Sequence, residues 1–139
     1  MKHSHRWIKS LIEGFDTQAD ENVRTRILEG CGRNCISRNL IARVKKLKDG
    51  SKDIGDFLEK LNQTWKHMKL ERGKIYVEYE ECYCPLVKGY PERLSSTFCN
   101  CSRGWIKELF ESALKKQVQV KLLKSIKCGD RICRFQVFI

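Results

Sequence analysis

The chain has 139 residues, a formal net charge of +11, and 41% hydrophobic against 32% charged residues. That length suits one domain, 1–139, with room for a packed core, and that balance excludes a disordered chain. No apolar run approaches the roughly 18 residues a membrane span needs, and the basic start MKHSHRWIKSLIEGF lacks the apolar stretch and small-residue cleavage site of a secretory signal.

The first half, about residues 1–70, reads as helical. Trp7, Ile8, Leu11 and Ile12 suit a short amphipathic helix. Asp20 is placed to cap a second helix through Val23, Ile27 and Leu28, which Gly30 and Gly32 are expected to end or kink. Ile36, Leu40, Ile41, Val44 and Leu47 form the stripe of a third, stopping at Asp49-Gly50. A fourth starts near Asp53 and carries Ile54, Phe57, Leu58, Leu61, Trp65 and Met68 at helical spacing. The aromatic and methionine positions in that stripe read as core.

The period then shortens. Between Lys74 and Cys82, Ile75, Val77 and Tyr79 alternate with Tyr76, Glu78 and Glu80, the pattern of a half-buried strand. Residues 85–93 are turn-rich, and a second strand is expected from about Leu94 to Cys101. Ser102 can cap a helix whose apolar face is Trp105, Ile106, Leu109, Phe110, Ala113 and Leu114. Two strands, Gln117–Ile126 and Ile132–Ile139, close the chain around a turn at Gly129-Asp130. The expected fold is α+β: N-terminal helices packed on an antiparallel sheet of about four strands, in β-β-α-β-β order over residues 74–139.

A chain without an export signal is expected in the cytoplasm, where disulfides rarely persist. Eight cysteines then point to metal binding, thiol chemistry or burial. Cys82-Tyr83-Cys84 and Cys99-Asn100-Cys101 are the most informative features. In extended backbone each Cys-x-Cys aims two sulfurs at one face, and four thiolates suit tetrahedral zinc. An iron–sulfur cluster uses the same ligand atoms. The competing reading is that these are small buried hydrophobes. Cys31 and Cys35 would share one helix face, near Arg33 and Arg38, and Cys128 and Cys133 flank the last turn. Glu78 and Glu80 lie on the Cys82 side of their strand and offer a carboxylate ligand or base. His3 and His5 fall in a frayed N-terminus, and His67 reads as a surface residue near the end of the fourth helix.

The segment FCNCSRGWIKELFESALKKQVQVKLLKSIKCGDRICRFQVFI resembles the closing part of the 4-vinyl reductase-type domains. These belong to the ligand-binding fold superfamily shared by nitric-oxide-sensing haem domains and Golgi-transport subunits. The residues that carry the resemblance are Cys99 or Cys101, Gly104-Trp105, Val118, Val120, Gly129, Asp130, Cys133 and Phe135. From Cys31 onward the chain also resembles an uncharacterised bacterial family with CGRxC, CYCPL and CxCSxGW segments, some of whose relatives are labelled amino-thiazoline-carboxylate hydrolase-like. The resemblance implies an α+β ligand-binding fold, often a homodimer, with a cavity between helices and sheet. It also implies zinc held by Cys128, Cys133 and one of Cys99 or Cys101, with a carboxylate. Here the loop between Cys128 and Cys133 is shorter than in those domains and Lys121–Lys127 holds no acidic residue.

The expected function is a small-molecule-binding or sensory domain with a cysteine metal site, zinc in the first instance. The metal candidates are Cys82, Cys84, Cys99 and Cys101, in competition with Cys128 and Cys133, and with Cys31 and Cys35 behind them. One alternative is a hydrolase of a small amide-like or heterocyclic substrate, working through a cysteine or a zinc-bound water. Another is a basic nucleic-acid-binding regulator using counterion release. Against that, Arg43, Lys45, Lys46 and Lys48 read as a solvated face.

Overall fold

A computed structural model describes residues 1–139. Three of its four N-terminal helices begin on the side chain the sequence supplies for the purpose. After α1 (His3–Gln18), Asp20 accepts from the Val23 amide at 2.9 Å to start α2 (Glu21–Cys35). Ser37 accepts from Leu40 at 3.0 Å for α3 (Arg38–Asp49), and Asp53 from Asp56 at 2.8 Å for α4 (Ile54–Thr64). Each cap satisfies an amide that the helix itself leaves unpaired.

The strands are β1 (Met68–Glu71), β2 (Lys74–Tyr79), β3 (Gln119–Lys124) and β4 (Cys133–Phe138). They form one antiparallel sheet in the order β1-β2-β4-β3. Between β2 and β3 lies α5 (Asn100–Leu114), entered through a 3-10 turn at Ser96–Cys99. The fold is therefore α+β, with the β-β-α-β-β order expected, but one strand is not where the pattern put it.

The fourth helix stops at Thr64, so Trp65 and Met68 leave it, and Met68 opens β1 instead. Arg72 and Gly73 both have positive φ (52° and 78°), which closes β1 and β2 as a two-residue hairpin. The expected strand at 94–101 is the 3-10 turn and the first turn of α5. Ser102 is accordingly inside the helix rather than its cap. Nor do Gly30 and Gly32 end α2, which runs on to Cys35.

Packing explains that last departure. A Cβ on Gly32 would overlap the Cys101 carbonyl and come within 2.8 Å of the Trp105 amide nitrogen. On the other helix, a Cβ on Gly104 would overlap the backbone of Glu29. The two glycines let α2 and α5 meet backbone to backbone. The contact is flanked by Lys107 on Glu29 at 3.0 Å and Arg33 on Glu111 at 2.8 Å.

The main core joins α3, α4 and α5 to one face of the sheet. Phe57, Val77, Ile106, Leu109 and Phe110 are its most deeply buried side chains, with Phe135 close behind. A smaller cluster sets Ile8, Ile12 and Leu28 against Val87, Tyr90 and Leu94, and so fastens the turn-rich segment after β2 onto α1 and α2. No helix is long and apolar enough to cross a membrane.

Candidate functional site

Where α5, the sheet and the segment after β2 meet, they leave a cavity of about 390 Å³. Thirteen of its nineteen lining residues are hydrophobic, so its wall differs from the polar surface around it. A depression of about 410 Å³ elsewhere, edged by Arg24, Arg103 and Lys121, has only three hydrophobic residues among twelve and is a solvated surface feature. The apolar cavity is of the size and character that small molecules occupy.

One side of it is aromatic. The Trp65 and Trp105 rings lie 5.9 Å apart, and His67 sits 6.0 Å from Trp65 and 4.7 Å from Tyr79. Tyr79 in turn meets Phe135 at 6.4 Å. Burial raises the Tyr79 phenol, with Cys133 adding to the rise, so it stays neutral. Burial also pushes His67 below its ordinary value; Lys66 and Lys69 act in the same direction, the Glu78 carbonyl and Glu80 against it. His67 Nδ1 lies 3.2 Å from the Glu78 carbonyl oxygen, which can only accept, so Nδ1 carries the proton and Nε2 is the free acceptor.

His67 is thus a half-buried wall residue and not the surface residue its helical register implied. The hairpin at Arg72-Gly73 was the signal that would have moved it and Trp65 off the helix. His5 is not frayed either: it is buried in α1 with its ring 5.3 Å from Tyr90. Glu78 is held by Arg134 at 3.0 Å, on the face away from the cavity wall.

The other side is sulfur. Cys35, Cys82, Cys84, Cys99, Cys101 and Cys133 all line the cavity. All eight cysteines are free thiols, with Cys31, Cys35 and Cys128 exposed. The four sulfurs of the two Cys-x-Cys motifs do come to one cavity, but not through strand alternation. Cys82 and Cys84 lie beyond the end of β2, and Cys99 and Cys101 straddle the start of α5. On a helix, residues two apart point to opposite sides.

At the start of α5 the Cys99 and Cys101 side chains consequently have different neighbours. Cys99 donates to or accepts from Ser125 Oγ at 3.1 Å, while the next residue, Ile126, donates its amide to Cys133 Sγ at 3.3 Å. The Cys128 thiol meets the Leu94 carbonyl at 3.6 Å. The turn they share is closed by Asp130, whose carboxylate accepts from the Ser125 amide at 2.8 Å. The Cys99 thiol is pushed up to about 12, by burial first, against the Ser125 bond and with Cys128, Cys133 and Cys82 adding. Cys101 lies at the α2–α5 contact, where its backbone meets Gly32. Cys101 is likewise raised to about 12, by burial and then by Cys84, Cys35 and Cys31.

Thiols raised in this way are the reverse of activated nucleophiles. Zinc, by contrast, displaces the proton and takes the thiolate. In their present rotamers no three His, Cys, Asp or Glu side chains form a ready-made cation cage. Free thiols are of the ligand type zinc takes, but they are not grouped around one point here.

The fold has a solved counterpart in the crystal structure of the phenol-responsive sensory domain of the transcription activator PoxR with phenol. The match has a TM-score of 0.53 at 15% identity, and covers 99% of this chain and 74% of that one. No curated protein matches the chain. Its whole length, residues 1–139, matches the profile of a family of unknown function, DUF6144, and the chain belongs to that family.

Proposed function

We propose that this protein is a small-molecule-binding, sensory domain whose apolar cavity takes a compact aromatic ligand and whose cysteines hold zinc in the cavity wall. The cavity carries the reading: about 390 Å³, aromatic on one side, with a neutral histidine as its internal acceptor. That volume suits one or two fused rings. A ligand hydroxyl can donate to His67 Nε2 while its ring packs among Trp65, Trp105 and Phe135.

The likeness in fold to a domain crystallised with phenol supports the ligand class, as does the resemblance of residues 98–139 to the 4-vinyl reductase-type domains. For zinc, the turn at Ser125–Cys133 offers Cys128 and Cys133, with Cys99 beside Ser125 and Cys82 as the fourth donor. An amide already directed at Cys133 Sγ is the kind of bond that steadies a metal thiolate. Cys82 takes the place of the carboxylate that the resemblance implies.

Trp65 and Trp105 supply the assay. Titration with phenol, catechol and indole should quench or shift tryptophan emission saturably with one of them, and Trp7, exposed on α1, should contribute an unchanged background. Emission unmoved by every compound in that panel would sink the ligand reading.

A further inference from the structure

The solvated depression of about 410 Å³ runs beside β3, an edge strand of the sheet. Arg24 and Thr25 of α2, Ser96 of the 3-10 turn, Asn100 and Arg103 of α5, and Lys121 of β3 are among its walls. Asn100 is the most informative of them. Only 8% of it is exposed, so its amide group needs partners. Arg103 Nη1 lies 3.0 Å from its Oδ1. A guanidinium only donates, which fixes the amide oxygen toward Arg103 and leaves the amino group on the other side. That amino group is not sealed in the interior, where only His5 Nδ1 and Tyr90 Oη lack a partner. It opens on the depression that Asn100 lines, as a fixed donor for an acceptor the chain does not supply.

The neighbours of Asn100 give that acceptor a charge. Arg103 is itself held, with Nε 3.0 Å from the Val120 carbonyl, and its Nη2 is left uncommitted. Lys121 takes part in none of the ion pairs of the chain. Arg24 is partly offset by Asp16 at 3.9 Å, and Arg103 by Glu29 at 4.0 Å. Glu21 is the one carboxylate of the lining, and it is exposed.

We propose that this depression binds a phosphate group, with Asn100 Nδ2 and Arg103 as its fixed donors and Lys121 and Arg24 as its countercharge. Phosphate oxygens suit the planar fork of an arginine and the point charge of a lysine. Thr25 and Ser96 add hydroxyls to the same wall. The lining shares no residue with the aromatic cavity, so the site does not depend on that cavity having a ligand.

Amide spectra of the isotope-labelled full-length chain, titrated at constant ionic strength with inorganic phosphate and with glycerol 3-phosphate, test the site. Saturable shifts are expected at Asn100, Arg103 and Lys121. Asn100→Asp keeps an oxygen for Arg103 but replaces the donor with a negative charge, so it should weaken binding by about tenfold or more. Lys121→Gln, at an exposed position, should weaken it by roughly threefold. Tighter binding of glycerol 3-phosphate would identify a phosphorylated small molecule as the source, and equal binding free phosphate; both support the site. Shifts that do not saturate, or that spread over the surface lysines without favouring these residues, would overturn it. So would affinity unchanged in Asn100→Asp. Circular dichroism checks the fold of each variant, and if Asn100→Asp fails to fold, unchanged affinity in Lys121→Gln is the contradicting result.

Discussion

Gly32 and Cys101 meet where α2 crosses α5, with no room for a side chain at residue 32. A methyl group there overlaps the Cys101 carbonyl and crowds the Trp105 amide, both of them backbone atoms that cannot swing aside. Gly32→Ala should therefore destabilise the domain by about 3 kcal/mol or more, despite alanine's better helix propensity. Gly104→Ala, against the backbone of Glu29, should do the same. Chemical denaturation would check both, with Gly30→Ala as the control, since nothing lies within 4 Å of that position and the change should be neutral or stabilising.

Filling the cavity should separate binding from folding. Leu40 lines it from α3 at a half-buried position. Leu40→Trp should weaken binding of the ligand found in the tryptophan titration by tenfold or more, with a stability change of about 1 kcal/mol. Calorimetric titration beside a thermal melt reads the two effects independently.

His67 gives the pH dependence a sign. Burial first, then Lys66 and Lys69, hold the ring below its ordinary value against the Glu78 carbonyl and Glu80, so it is neutral at pH 7. The unfolded chain takes up the proton first as pH falls, so this group's contribution to stability is present above about 6.5 and is lost as pH drops towards the folded value. Protonation also removes the Nε2 acceptor. Affinity for a hydroxyl-bearing aromatic should fall between about pH 7 and about pH 5, and His67→Phe should flatten that profile.

If zinc is held as proposed, its removal should loosen the turn at Ser125–Cys133. Since binding to the folded chain alone adds to stability, the thermal midpoint should rise with zinc concentration and fall after chelation, by roughly 4 °C for each kcal/mol lost. Differential scanning calorimetry of zinc-loaded and chelator-treated protein measures the difference. Identical midpoints would count against zinc as part of the fold.

Much of this fold was legible because its signals are local. Asp20 and Asp53 cap the helices they precede, and Val77, Phe135 and Val137 are buried as alternation requires. Met68 was not legible in the same way, because helical spacing from Leu61 and Trp65 carries straight through it. Only the turn at Arg72-Gly73 shows that the chain reverses there. The two Cys-x-Cys motifs both line one cavity. Their internal pairing was not readable, because it depends on whether residues 99–101 are strand or helix. Their apolar pattern fits either, and burial against α2 settles it as helix. The approach of α2 to α5 rests on glycine contacts between helices far apart in sequence, which no local pattern encodes.

The most direct test of a ligand-binding cavity is the amide spectrum of isotope-labelled, zinc-loaded protein titrated with the compound selected by tryptophan emission. The expected result is saturable one-to-one binding, with the largest shifts at Trp65, His67, Tyr79 and Trp105, and their loss in Leu40→Trp. Shifts confined to the exposed face around Trp7, or unchanged by Leu40→Trp, would contradict it.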